Sequence, residues 1–249
     1  MVSSLLVAGR VADRFGRRKI FLSGLLLYGA AGIMAGSIPV IWVLILARSL
    51  QGIAIAMLSP SGLAMSLNEF PPSRRAYALG VWGTIGALTG LCGSPIAAGM
   101  IELFNWQAIF ILTGGFSLLI LLAGFVVLSD EQEGNNQLPI DWVSAIIAVM
   151  AVGGLTLFLV QGQEWGFSSP VTLLCLCISI ISTPLLAKRN RTQRHPLFPP
   201  AIFTQRSFTI GAAWSALCQV GFFSIYFGLP LYMREVWSWS PIKIGFALI

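Results

Sequence analysis

Long apolar segments, separated by short polar ones, are the feature that most constrains this chain. Each is about long enough to cross a hydrocarbon layer of roughly 30 Å as an α-helix, which takes about 20 residues. Apolar and polar residues do not alternate along them, as membrane β-strands require, so we expect an all-α, polytopic bundle of membrane-spanning helices. The complete segments are 20–38, 41–67, 77–101, 107–128, 142–162, 170–187 and 208–232.

The composition agrees with a membrane protein. Hydrophobic residues make up 56% of the 249 residues and charged residues 10%, whereas a soluble domain has about 45–50% and about 25%. A water-soluble globular enzyme is therefore excluded, and so is a disordered chain, which would be poor in apolar residues and rich in charge. We assign the net charge of +6 to loops that set the membrane orientation, and not to a nucleic-acid partner.

Two further apolar segments are incomplete. Residues 1–9 are too few to cross and stop at a basic cluster, and another segment starts near Ile242 and stops at Ile249. A signal peptide is not favoured at the N-terminus, because the basic residues follow the apolar segment and do not precede it. We therefore expect seven complete spans and two partial ones, in a chain truncated at both ends.

The basic residues gather on one face if successive spans alternate in direction. Twelve of the 15 Lys and Arg then fall in loops on the same side, and an excess of Lys and Arg marks cytoplasmic loops. The sequence thus predicts a multi-pass protein of the plasma membrane (the bacterial inner membrane) whose main partner is the lipid bilayer. The twelve are Arg10, Arg14, Arg17, Arg18, Lys19, Arg74, Arg75, Lys188, Arg189, Arg191, Arg194 and Arg206.

The sequence holds no pattern typical of an enzyme or a metal site. All four cysteines lie inside apolar segments, and Cys175 and Cys177 form a C-x-C pair, not the C-x-x-C of redox or zinc sites. His195 lies in a basic polar loop with no second ligand nearby. We predict no catalytic residue, no metal ion and no cofactor.

A first motif joins the partial N-terminal segment to the next span. Its two glycines permit tight turning or a close helix approach. On a helical turn its three arginines would share one face, because they are spaced i, i+3 and i+4, and its aspartate can pair with one of them. Anchoring to anionic lipid would explain the charge but not the order of the residues. The motif comprises Gly9, Asp13, Arg14, Gly16, Arg17 and Arg18.

A second motif contains Arg48, the only charged residue well inside a complete span, followed by Gln51 and Gly52. A charge at the centre of a membrane helix costs at least about 2.5–3.5 kcal/mol. We therefore expect Arg48 to face the bundle interior or a water-filled cavity, with Gln51 on the same polar face. The alternative is that Arg48, about two turns into the span, extends its side chain to the outer interface.

A third motif is a stripe of small residues, spaced four apart, in the segment 77–101. Such a stripe lets two membrane helices touch backbone to backbone, so a tight helix pair is the simpler interpretation. Pro95 removes one backbone hydrogen bond and is expected to kink the helix. The motif comprises Gly86, Gly90, Ser94, Pro95, Ala98 and Gly99.

These motifs resemble those of a known family. The first resembles the loop between spans two and three of the major facilitator superfamily. The second resembles its fourth-span motif, in which the arginine is associated with proton coupling or gating. The third is similar to the antiporter motif of drug exporters, G-x-x-x-G-P-x-x-G-G, from which Ser94 and Ala98 depart while staying small.

The segments 142–162 and 170–187 resemble the two extra helices of the fourteen-span drug:proton antiporters (EmrB/QacA-like), as does His195-Pro196-Leu197. The resemblance implies a transporter without a cofactor, driven by the proton gradient, that exports small amphipathic or cationic compounds. In that group a carboxylate of span one usually contributes to coupling, and the resemblance implies that span one is absent here.

The resemblance also divides the chain into three parts. Residues 1–128 are the amino-terminal bundle without span one, residues 129–207 hold an acidic loop, the two inserted spans and a basic loop, and residues 208–249 begin the carboxyl-terminal bundle. Two alternatives stay open. One is a non-transporting truncated fragment or partner subunit, and the other is a major facilitator importer of a small metabolite.

Overall fold

A computed structural model describes residues 2–128, 141–193 and 205–247. The predicted acidic loop and the His195 segment fall in 129–140 and 194–204 and lie outside the described residues. Within the described ranges the chain forms nine α-helices and one 3₁₀ turn. These are α1 (Val2–Phe15), α2 (Arg17–Ser37), α3 (Ile41–Asn68), the 3₁₀ turn (Pro72–Arg74), α4 (Arg75–Leu103), α5 (Trp106–Val127), α6 (Trp142–Trp165), α7 (Pro170–Thr192), α8 (Arg206–Glu235) and α9 (Pro241–Ala247).

Seven helices of the described part, α2 to α8, are long and apolar enough to cross a membrane. This confirms the seven complete spans predicted from the sequence. Much of their apolar surface is uncovered; Trp42 is 75% exposed, for example. In α8 every side chain from Ser207 to Ile225 is exposed. Because large uncovered apolar surfaces are unfavourable in water, these helices belong in lipid or against further protein.

The helices extend past the apolar segments into the basic clusters, so the prediction that these clusters form loops is wrong. Arg10 and Arg14 lie in α1, Arg17 begins α2, and Arg189 and Arg191 lie in the last turn of α7. Arginine and lysine have high helix propensity, and continuing the helix satisfies backbone groups that would otherwise be orphaned at its end. The apolar pattern therefore marks the membrane-crossing part of each helix and not its ends.

The described residues fall into two compact units that interleave along the chain. In the first unit α6 and α7 pack along each other and α6 contacts α1; in the second, α9 packs on α4 and α8. The division at residues 128 and 207 that the sequence predicts stays a prediction. The first unit takes Met1–Leu25, Gly52–Gly62 and Gly124–Thr204, and the second takes Leu26–Gln51, Leu63–Ala123 and Gln205–Ile249.

In the first unit, α6 and α7 form a hairpin with contacts along its length. Asp141 and Ser169 cap the N-termini of the two helices, since their side chains accept hydrogen bonds from the backbone N–H groups of Ser144 and Thr172. Midway, the buried Ser179 hydroxyl donates to the Ala151 carbonyl oxygen at 2.6 Å. A polar contact of this kind holds two helices together where lipid offers no alternative partner.

In the second unit, the buried centre is built from small side chains. Ala31 and Ala35 of α2 and Ala47 of α3 surround Phe110 of α5, and all four are at most 9% exposed. Alanine at these positions permits the helices to approach closely enough to enclose one aromatic ring. This packing fixes Phe110 beside the second sequence motif.

Candidate functional site

The first motif forms a junction between two helices. Gly16 lies between α1 and α2 with φ of +95°, a conformation that glycine adopts without the steric cost other residues have. Across this break, Asp13 accepts hydrogen bonds from Arg17, with Nε at 3.2 Å and Nη2 at 3.1 Å from the same carboxylate oxygen. The prediction that Asp13 pairs with one of the arginines is confirmed, and Arg17 is that partner.

The three arginines of this motif do not share one helical face, and that prediction is wrong. Arg14 belongs to α1, where its guanidinium lies 5.4 Å from the centroid of the Phe15 ring. Arg18 belongs to α2, and its Nη2 donates to the Phe125 carbonyl oxygen in the last turn of α5 at 3.3 Å. A cation at a helix C-terminus is stabilised by the helix dipole. Because the helix breaks at Gly16, the arginines contact different neighbours. The motif therefore connects the end of α1, the start of α2 and the end of α5.

Gly9 of the same motif lies within α1, where a Cβ atom built on it would be 4.0 Å from Cβ of Pro60 in α3. That is an ordinary van der Waals separation, so an alanine would fit. At Gly9 the two helices are therefore further apart than at the glycine contacts between α2 and α5 described below.

The second motif places Arg48 on an exposed position of α3. Its guanidinium carbon lies 4.5 Å from the centroid of the Phe110 ring, a geometry in which the π-electrons attract the cation. Gln51, one turn further on, is only 3% exposed, and within the described residues its Oε1 atom accepts no hydrogen bond. Gly52 is half-buried. The charge and the amide thus occupy different environments, and their coupling role stays a prediction.

The third motif lies on one unbroken helix, α4, that continues through Pro95. A Cβ atom built on Gly86, Gly90 or Gly99 would meet no described atom within 4 Å. Ala98 is buried and lines a cavity with residues of α8 and α9; the Ser94 side chain lies outside what the structure describes. The tight helix contact predicted for the stripe therefore has no partner in the described part of the chain at these glycines, and it stays a prediction.

A close helix contact in the second unit joins α2 and α5, which the sequence analysis did not single out. A Cβ atom built on Gly32 would lie 2.9 Å from the Gly114 Cα atom, and one built on Gly114 would lie 2.9 Å from both the Gly29 carbonyl oxygen and the Ile33 nitrogen. The signal was present, because Gly32 and Gly36 are four residues apart, the spacing of a membrane helix interface.

A second missed feature is an ion pair at one end of the α6–α7 hairpin. Arg189 Nη2 lies 3.0 Å from Asp141 Oδ1, and Arg189 Nε lies 3.2 Å from Oδ2. Ser144 Oγ also donates to Asp141 at 2.6 Å. Burial by itself raises the pKa of Asp141, but the hydrogen bonds from Arg189 and Ser144 and the charge of Arg189 outweigh it and lower the pKa from 3.8 to about 2. The carboxylate is therefore ionised at neutral pH.

In the part of the chain that the structure describes, no three His, Cys, Asp or Glu residues lie close enough together to hold a metal ion. The polar groups that stand out are the charged helix ends in the first unit and, in the second, Arg48 and Gln51 on α3. The charged helix ends are suited to positioning helices.

Comparison with known proteins supplies a family and a set of relatives. The family model that matches is described as Major Facilitator Superfamily, and the match covers residues 1–249. The Tetracenomycin C resistance and export protein of Streptomyces glaucescens is 28% identical over 99% of this chain and 46% of its own length. The Puromycin resistance protein pur8 of Streptomyces alboniger is 31% identical over 98% and 48%. The Multidrug export protein EmrB of Escherichia coli K12 is 27% identical over 98% and 48%. This chain spans about half the length of the relatives it matches.

Proposed function

The chain belongs to the major facilitator superfamily and is a multi-pass protein of the bacterial inner membrane, and we propose that it is part of a proton-coupled antiporter that exports drugs. The observation that carries the proposal is the similarity, over nearly the whole chain, to relatives named for drug resistance and export. The energy source is the proton gradient, without a cofactor, and the substrates are small amphipathic or cationic compounds.

Arg48 is the residue to which we assign proton coupling or gating, with Gln51 and Gly52. A charge within a membrane helix is expensive and marks a functional site by default. The Phe110 ring at 4.5 Å offers the guanidinium an attraction that is weaker than an ion pair, about 0.5–2 kcal/mol. Arg48 is therefore held loosely enough to exchange partners when a carboxylate elsewhere gains or loses a proton.

The junction at Gly16 and the stripe on α4 complete the proposal. The Asp13–Arg17 pair and the Arg18 bond to α5 hold three helix ends on the side that the charge bias places in the cytoplasm, where a gate would have to open. The uncovered glycines of α4 leave a surface on which another helix can pack or slide during alternating access, as transporters built from two halves require.

The proposal is tested by efflux from inverted vesicles that contain a complete homologous exporter. The residue matching Arg48 is changed to Ala or to Lys, and Ser49→Ala serves as the neighbouring control. We expect Arg48→Ala to reduce pH-gradient-driven ethidium transport by about tenfold or more, because alanine removes the charge to which we assign the coupling. Arg48→Lys should retain part of the activity, and Ser49→Ala should match the wild type. Unchanged transport by Arg48→Ala would contradict the role assigned to Arg48.

The alternative of a non-transporting fragment or partner subunit stays open beside this proposal. It predicts that proteoliposomes of this 249-residue chain alone show no dye transport under a pH gradient. Transport by those proteoliposomes would refute it. The importer alternative has no support from the relatives named above, whose names refer to resistance or export.

A further inference from the structure

A cavity of about 450 Å³ lies within the second unit, between α4, α8 and α9. Its volume falls in the range of about 300–1,000 Å³ that is usual for small-molecule sites. Ala97 of α4, Leu231 of α8 and Ile244 of α9 contribute to its apolar lining. These are the last turns of α4 and α8 and the first turn of α9, so the predicted membrane orientation places the cavity near the outer face.

Aromatic rings form one wall of this cavity. Tyr226 and Phe227 both line it, and their rings meet edge to face at 5.5 Å between centroids. Phe222 stacks on Tyr226 from the preceding turn, at 5.8 Å between centroids. Such a rigid wall offers large contact area to a flat, apolar ligand with little loss of side-chain entropy.

Among the described residues of the lining, Arg234 is the one with a charged side chain. Within the described residues it forms no ion pair and no hydrogen bond through its side chain. Lys243 of α9 differs, because its Nζ atom lies 4.1 Å from the centroid of the Trp239 ring and it does not line the cavity. The cavity therefore combines an apolar body with one cation that has no partner among the described residues.

From this combination we propose that the α4–α8–α9 cavity binds a small amphipathic anion, with its apolar or aromatic body against Tyr226 and Phe227 and its acidic group at Arg234. A cationic ligand is disfavoured because Arg234 would repel it at short range. A phospholipid with two acyl chains is disfavoured because it is larger than the cavity. The site is separate from Arg48 and does not depend on the proposed efflux function.

The test is a fluorescence titration of the purified chain in nanodiscs of zwitterionic lipid with two probes that share a ring system. One is the anion 1-anilinonaphthalene-8-sulfonate, and the other is the neutral N-phenyl-1-naphthylamine. Arg234→Gln should weaken saturable binding of the anion by about tenfold, because a hydrogen bond between two charged groups is stronger than one from a neutral amide. Binding of the neutral probe should not change, and Lys243→Gln should change neither.

Cavity filling supplies the second arm. Ala97→Leu should weaken both probes, whereas Ala87→Leu, at an exposed position of the same helix, should weaken neither and controls for folding. Equal losses from Arg234→Gln and Lys243→Gln would show a general charge effect and overturn the proposal. So would unchanged binding in Ala97→Leu, or a phospholipid that co-purifies with the chain and is lost in Arg234→Gln. Failure of the efflux experiment with intact anion binding would leave this site standing and remove only the transport proposal.

Discussion

Two sets of glycines in this chain share a residue type and a spacing but have opposite surroundings. Between α2 and α5, a Cβ atom on Gly32 would come within 2.9 Å of Gly114, whereas on α4 a Cβ atom on Gly86 or Gly90 would meet nothing within 4 Å. Small residues four apart therefore indicate a helix surface that can be approached closely. They do not indicate which helix approaches it, or whether that helix lies in the described part of the chain.

The largest effect is expected at the α2–α5 glycine contact, where backbone meets backbone. Gly114→Ala places its Cβ atom 2.9 Å from backbone atoms of Gly29 and Ile33, which cannot rotate away, so α2 and α5 must separate. Overpacking of this kind costs about 1–3 kcal/mol of unfolding free energy. Gly115→Ala is the matched control, because its Cβ atom would meet open space. Thermal unfolding in detergent, followed by circular dichroism, measures both; equal midpoints would show that the α2–α5 contact is not what stabilises this unit.

The seven spans could be predicted from the sequence because the cost of exposing an apolar segment to water is a local property. Which helices pair could not be predicted, because α2, α4 and α5 all contain glycines. Only the structure shows that the glycines of α2 and α5 face each other and that those of α4 face no described helix. The partner of Asp13 was within reach, since Arg17 is four residues away. The Asp141–Arg189 pair was not, because 48 residues separate its members and only the hairpin brings them together.

A smaller effect is expected at the end of the α6–α7 hairpin, where charge and not backbone proximity makes the contact. Since the pKa of Asp141 is lowered to about 2, its contribution to stability is fully present above about pH 4 and is lost as the pH falls through about 2. Asp141→Asn should cost about 1–2 kcal/mol at pH 7, and nothing at the lowest pH. Chemical unfolding of both proteins at a series of pH values measures the difference.

Asp13→Asn is the control for that comparison. Its pair with Arg17 is four residues apart, with side chains that are 43% and 32% exposed, and exposed pairs of this spacing contribute only about 0.3–0.5 kcal/mol. If Asp13→Asn destabilises the chain as much as Asp141→Asn does, the two ion pairs contribute equally to stability, and the greater burial of the Asp141 pair has no effect.

No loss of stability is expected on the open side of the comparison. Gly90→Ala on α4 should not destabilise this chain, because its Cβ atom would meet nothing within 4 Å and alanine favours a helix interior over glycine by up to about 1 kcal/mol. In a complete homologous exporter the same substitution should reduce efflux, if another helix packs there. Unfolding of the chain and efflux by the homologue are measured side by side. A destabilised chain would show that the stripe is already occupied, and unimpaired efflux would remove its role in transport.

The α6–α7 hairpin has a consequence for how the protein is made. Its helices are joined by a short turn at Gly166, where φ is +83°, and they hold each other through the Ser179 bond midway and the Asp141–Arg189 pair at one end. A helix pair that satisfies several of its own polar groups has less need of other helices when it leaves the insertion machinery for lipid. We therefore expect the two spans to enter the bilayer together during synthesis. For the same reason, an insertion or deletion during evolution should involve both helices and not one of them.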